Sequence, residues 1–439
     1  MSAPQPIDSL IEPRWIVPIE PADVTLTGHA LAIEKGRILA ILPASEALAR
    51  YAPRQRISLP QHVLLPGLVN LHTHAAMSLL RGFADDMPLM RWLNEHIWPA
   101  EARHVSPDFV RDGTLLACWE MLRGGITCFN DMYYYPEAAA EAILDTGIRA
   151  ALGVTVIEFP TAYAADAADY LAKGLATRDA LRDNPLLSFC LAPHAPYTVS
   201  DKTFERIATL ANQLDLPVHI HINETRAEIE GSIRQHGVRP LARLQRTGLL
   251  GPGLIGVHGV HLDSDEIALL GEHGCHLAHC PTSNMKLGSG MAPIRLAQAQ
   301  GVGVGLGSDG AASNNRLDLF REMRHAALLG KVAEEDAGIL PAATVLRMAT
   351  LDGAKALGLE SEIGSLLPGK SADICAVRLD DWAIQPCYDP VSHLVYVAGR
   401  EHVSHTWVAG QLRICEGAPV GCDPRYLIET VRMWHNRMV

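Results

Sequence analysis

Eight short β-type runs alternate with helical stretches along the middle of this chain, and histidine or aspartate stands at the end of several of them. The runs cover residues 63–70, 126–130, 148–156, 186–191, 217–222, 254–257, 275–278 and 302–306. Between them, segments such as 108–122, 138–144, 203–213 and 264–272 place apolar residues at helical spacing. This βα alternation predicts a parallel (β/α)8 barrel. A chain of 439 residues is longer than the roughly 250 of one barrel, so a companion domain is expected. The ends supply it: residues 8–41 and 372–413 hold short extended runs punctuated by glycine and proline. They predict a smaller β-sandwich domain built from both termini. The expected division is 1–61 for its N-terminal part, 62–364 for the barrel, and 365–439 for its C-terminal part with a terminal helix. A hairpin is expected at residues 408–412, and a helix over the alanine-rich stretch 161–176.

The strand ends carry the chemistry. His72 and His74 close the first run, and a period of two turns both imidazoles to one side, which at the end of a barrel strand is the active-site mouth. His219-Ile-His221-Ile-Asn-Glu224 repeats the device at the fifth run and adds a carboxylate just beyond it. His221, nearer the C-terminal end, is the expected metal ligand, and His219 lies one layer deeper. His258 ends the sixth run, Asp309 follows the eighth, and His194 follows the fourth. Nitrogen donors with a nearby acid are what a hydrolytic metal site requires. The fourth run has no lysine that could be carbamylated to bridge two ions, so one metal ion is expected.

Several function classes are excluded. There is no H-E-x-x-H, no H-x-E paired with P-C-x-x-C, and no phosphate-binding glycine loop. A net charge of −12 disfavours nucleic acid or an anionic membrane as partner, and a small neutral or zwitterionic ligand fits better. Hydrophobic residues at 48% and charged residues at 20% describe an ordinary globular protein without a membrane span or targeting signal, hence an expected cytoplasmic location. Nine scattered cysteines without a C-x-x-C pair predict reduced, mostly buried thiols.

Pro66-Gly-Leu-Val-Asn-Leu-His-Thr-His74, His279-Cys-Pro-Thr-Ser-Asn-Met-Lys-Leu-Gly288 and Gly307-Ser-Asp-Gly-Ala-Ala-Ser-Asn314, in this order, resemble the amidohydrolase superfamily. Within it they are similar to the branch of triazine hydrolases and 5′-methylthioadenosine/S-adenosylhomocysteine deaminases, as are Trp15-Ile-Val-Pro18 and Trp98-Pro-Ala-Glu101. The resemblance implies that His72, His74, His221 and Asp309 hold one divalent ion, zinc before iron or manganese, while Glu101, His194, Glu224 and Asp309 face a purine nucleoside. It also implies hydrolytic deamination, in which Asp309 accepts a proton from water, Glu224 protonates the ring nitrogen and His258 orients the water. Two alternatives stay open: a deaminase of free bases or a hydrolase of aminotriazine-like rings, and, more remotely, a noncatalytic scaffold. The order among methylthioadenosine, S-adenosylhomocysteine and adenosine is open, as is the oligomeric state, a homo-oligomer included.

Overall fold

In the computed structural model, which describes residues 3–439, eight parallel strands follow one another in chain order. They are Leu68–Thr73, Ile126–Asp131, Arg149–Val156, Leu187–Pro193, Val218–Ile222, Leu254–His258, His276–His279 and Gly303–Leu306. Most of their residues are buried, as expected of parallel strands covered on one face by helices and on the other by the barrel interior. The barrel is nearly closed: just past the end of the eighth strand, the Asp309 amide donates to the carbonyl of His72 on the first strand at 3.0 Å.

The helices begin where their caps dictate. Ser106 caps Pro107–Arg123, Ser200 caps Asp201–Leu214, and Asp263 with Glu266 forms a capping box on Ser264–Glu272. The helix expected over 161–176 instead runs Ala167–Leu181, because the Asp166 carboxylate accepts from the Ala168 and Asp169 amides and fixes the start there. Residues 161–166 are a loop beside the barrel mouth.

The first expected strand is also corrected. Residues 63–66 end a long strand, Tyr51–Pro66, of a different sheet, where Val63 pairs with Val377 and Leu65 with Cys375. The barrel strand starts only at Leu68. Between them Gly67 passes so close to Thr127 that a Cβ would lie 2.1 Å from its hydroxyl. An apolar run that leaves one sheet and enters another looks like a single strand.

That second sheet has nine strands and is mixed. Both chain ends contribute, and the central neighbours are Ile374–Arg378, Tyr51–Pro66 and Gln5–Ile16. The sheet curls until distant hairpins meet: the Ala372 amide donates to Gly36 O and the Gly410 amide to Ala372 O. Its enclosed face packs Ile11, Leu31, Ile33, Leu64, Ile374 and Trp407, which gives it the sandwich character expected from the termini. The hairpin at 408–412 forms, its turn residues Ala409 and Gly410 both left-handed at φ 47 and 73. A buried ion pair, Arg149 Nε to Asp373 Oδ2 at 3.2 Å, ties this sheet to the barrel. The C-terminal helix Pro424–Met438 is pinned by Trp434, whose indole N–H donates to Asp112 at 2.9 Å. All nine cysteines are free thiols. Among the described residues, no helix is long and apolar enough to cross a membrane.

Candidate metal centre and active site

Four donor atoms from three strands meet at the barrel mouth. Asp309 Oδ1 lies 3.2 Å from His72 Nε2 and 3.4 Å from His74 Nε2, and His221 Nε2 lies 3.3 Å from His72 Nε2. The opposite ring nitrogens are already engaged. His74 Nδ1 donates to Met132 O at 2.7 Å, His221 Nδ1 donates to His194 O at 2.7 Å, and His72 Nδ1 stands 3.0 Å from His219 Nε2. Such partners fix ring orientation and leave the facing nitrogen free as a ligand. Burial pushes the His72 imidazolium down to about 4 and that of His221 well below its ordinary range, so both rings are neutral at pH 7. Neutral imidazole lone pairs and a carboxylate crowded together repel one another, and a divalent cation among them removes that repulsion. The donor set of nitrogen and oxygen without thiolate suits zinc, iron or manganese. His219 sits fully buried beneath His72, at the deeper level the sequence assigned it.

The chain is strained where it delivers these groups. Asn223, His258 and Asp309 hold φ of 48, 70 and 61, a region that residues other than glycine rarely occupy. Hydrogen bonds hold each in place. Asp309 Oδ1 accepts from the Gly310 amide and Oδ2 from the Ser283 hydroxyl, at 2.7 and 2.6 Å. His258 Nδ1 faces Asn284 Oδ1 at 2.9 Å, while its Nε2 stands 3.8 Å from Glu224 Oε2. Donor atoms of His258, His72 and His221 all lie within 4.8 Å of one another, so His258 borders the metal cluster directly. Glu224 is buried, and burial raises its carboxyl above the usual range.

One cavity joins His74, His194, His221, Glu224, His258 and Asp309 to an apolar vestibule containing Leu89, Trp92, Trp98 and Phe159. Trp98 and Phe159 meet edge to face across it, centroids 5.8 Å apart. Glu101 lines the same cavity, on the short helix Trp98–His104 that follows a π turn at Leu93–Ile97. It is buried rather than an exposed helical acid. Tyr133 donates to its Oε1 at 2.6 Å, and burial pushes its carboxyl up to about 7. The His194 ring borders the cavity with Nδ1 3.0 Å from Thr198 Oγ1, while its carbonyl orients His221.

All eight residues singled out by sequence therefore border one cavity or its metal cluster. Sequence reasoning missed Tyr133, Ser283 and Asn284, and also Glu228, whose carboxylate accepts from the Asn223 and Glu224 amides at 3.0 and 2.8 Å. Ser283 and Asn284 stand in the 279–288 segment that carried the resemblance, and Glu228 occupies the third position of a Thr225-capped helix. Those were the available signals. Tyr133 had none.

The 5-methylthioadenosine/S-adenosylhomocysteine deaminase of Teredinibacter turnerae is 50% identical over 405 residues, 92% of each chain. The 5′-deoxyadenosine deaminase of Methanothermobacter thermautotrophicus is 41% identical, over 84% of this chain and 85% of that one. Among solved structures, an adenosine deaminase from Xanthomonas campestris with bound zinc superposes with a TM-score of 0.98 at 48% identity, covering 99% of both chains. The sequence pattern of the amidohydrolase family spans residues 63–413, and with it every residue of the cluster just described: this chain belongs to the amidohydrolase family.

Proposed function

We propose that this protein hydrolyses the 6-amino group of an adenosine-type nucleoside, 5′-methylthioadenosine, S-adenosylhomocysteine or adenosine, to the 6-oxo product and ammonia. The observation that carries the reading is the convergence of His72, His74, His221 and Asp309 beside Glu224 and His258, in one cavity with Glu101. The deaminase names and the bound zinc of the similar proteins support it.

His72, His74, His221 and Asp309 would hold one zinc ion. When bound, the ion supplies Lewis acidity that brings the pKa of water toward neutrality. Asp309 accepts a proton from the water that attacks C6. Glu224 delivers a proton to the ring nitrogen beside C6, which makes that carbon electrophilic, and His258 orients the water. As the C–N bond breaks, the amine takes the proton held by Asp309 and leaves as ammonia, while the C6 hydroxyl gives up its proton to Glu224 and becomes the 6-oxo group. His194 contacts the substrate. The vestibule around Trp98 and Phe159 shields the reacting centre from bulk water.

A purified, metal-assayed sample offered adenosine analogues, free bases and aminotriazines tests this reading by ammonia release. Turnover of free bases or triazines in preference to nucleosides overturns it. His194→Ala is expected to keep its metal, because the His194 carbonyl that orients His221 survives the substitution. Loss of stoichiometric metal from a folded variant would make the His194 ring a ligand.

Glu101 suits the ribose, since two vicinal hydroxyls can donate to one carboxylate. A shielded charge-assisted bond of this type contributes about 1.5–3 kcal/mol, so Glu101→Gln is expected to lower kcat/KM by roughly 10- to 150-fold on methylthioadenosine. A 2′,3′-dideoxy analogue should lose little further. Equal losses on both substrates would place Glu101 in the fold or the chemistry. The pH dependence gives a second check. With the Glu101 carboxyl near 7 in the free enzyme, the carboxylate is depleted as pH falls. The advantage of the parent over Glu101→Gln in kcat/KM should therefore drop about tenfold between pH 8 and 6. The acid limb behind that drop should vanish in Glu101→Gln.

A further inference from the structure

The segment after the seventh barrel strand has no part in the mechanism above, yet it touches both Asp309, which takes the proton of the attacking water, and His258, which orients that water. Its short helix Pro281–Lys286 stands between the sixth strand, which ends at His258, and the eighth, which leads to Asp309. Two consecutive buried residues reach different partners. Ser283 donates its hydroxyl to Asp309 Oδ2 at 2.6 Å, and Asn284 presents Oδ1 to His258 Nδ1 at 2.9 Å. The turn is anchored from behind: Glu322 accepts from the Thr282 amide at 3.1 Å and from Asn314 Nδ2 at 2.8 Å, and Asn314 also donates to Ser308 O at 2.6 Å.

We propose that Ser283 and Asn284 are positioning residues for the deamination, one turn setting the orientation of both Asp309 and His258. The inference rests on the deaminase reading above. Its physical basis is that the terminal torsions of aspartate and histidine are soft and roughly two-fold, so packing alone specifies them weakly. The Ser283 hydroxyl holds Oδ2 and thereby keeps Oδ1 turned to His72 and His74. The Asn284 carbonyl oxygen takes the His258 Nδ1 hydrogen, leaving Nε2 as the atom that faces Glu224 and the metal cluster. Because the two side chains leave adjacent residues, their partners at the end of the sixth strand and just past the eighth are set relative to each other as well as to the barrel.

Partners that orient ligands and reacting groups typically contribute 10- to 100-fold when removed. Ser283→Ala and Asn284→Ala are each expected to lower kcat by about that factor on whichever nucleoside the ammonia screen identifies, with KM within about threefold. Metal content should stay at that of the parent protein. Ser283→Thr and Asn284→Asp keep a hydroxyl and a carboxyl oxygen at the same places and should restore most of kcat. A nitrogen NMR spectrum supplies a readout apart from turnover: the His258 Nδ1–H signal should persist in the parent and in Asn284→Asp and disappear in Asn284→Ala. If Ser283→Ala does not fold, Ser283→Cys, a weak donor of similar size, should show the same loss. Unchanged kcat in the alanine variants overturns the proposal. So does a loss confined to KM or metal, or a threonine variant as poor as alanine. A parent protein that deaminates no nucleoside overturns the deaminase reading instead, and the NMR result still decides whether Asn284 orients His258.

Discussion

Asp309→Asn is expected to remove nearly all turnover, roughly 10²- to 10⁴-fold from the loss of a proton acceptor alone, with a further loss from weakened metal binding. In the proposed mechanism the carboxylate has two tasks, and an amide performs neither. Its Oδ1 stands 3.2 and 3.4 Å from His72 and His74 Nε2, where a negative charge is what balances a divalent ion. An amide oxygen is neutral there. Nor can an amide take the proton released as water attacks C6. The substitution is nearly isosteric, so the left-handed backbone at 309 and its bond to the His72 carbonyl should survive. Steady-state kinetics with metal analysis on the same sample checks the expectation. A variant keeping more than a tenth of the parent rate would remove Asp309 from both roles.

How far the sequence discloses such a site depends on which contacts follow from local pattern. His72, His74 and His221 were legible because a strand's period of two, read to its C-terminal end, says which way a side chain points. Asp309 and His258 were legible as strand-end residues, though nothing local disclosed that both bend into left-handed conformations. Seven of the eight barrel strands stood out as apolar runs. The first did not, because residues 63–66 and 68–73 belong to different sheets joined without a polar break. Glu101 came only from resemblance: its depth is set by a π turn and by Tyr133 in the loop after the second barrel strand, and neither leaves a local trace. Ser283, Asn284 and Glu228 went unassigned for the same reason. Each acts on a partner fixed by tertiary packing or by a loop preceding its own helix, and residue type alone does not announce that use.

Glu224→Gln should lose at least roughly 10²-fold in kcat while keeping its metal, because in the proposed mechanism the glutamate handles a proton and is not among the residues that would hold the ion. Burial raises its carboxyl above the usual range, so the acid form persists at pH values where an exposed glutamate is ionised. A group that must give a proton to the ring nitrogen benefits from that shift. Glutamine cannot give or retake one, yet it fills the same space and can still accept the Ser289 hydroxyl, 3.4 Å away in the parent. The sign of the pH dependence separates the two acids. If Glu224 acts from its protonated form as proposed, kcat should fall as pH rises through its elevated pKa, whereas the Glu101 limb falls toward acid. The alkaline limb should therefore disappear in Glu224→Gln and remain in Glu101→Gln. Loss of metal from a folded Glu224→Gln protein would make Glu224 a ligand or its support. An alkaline limb surviving in that variant would assign the proton to another group, with His258, 3.8 Å from the carboxylate, the first to examine.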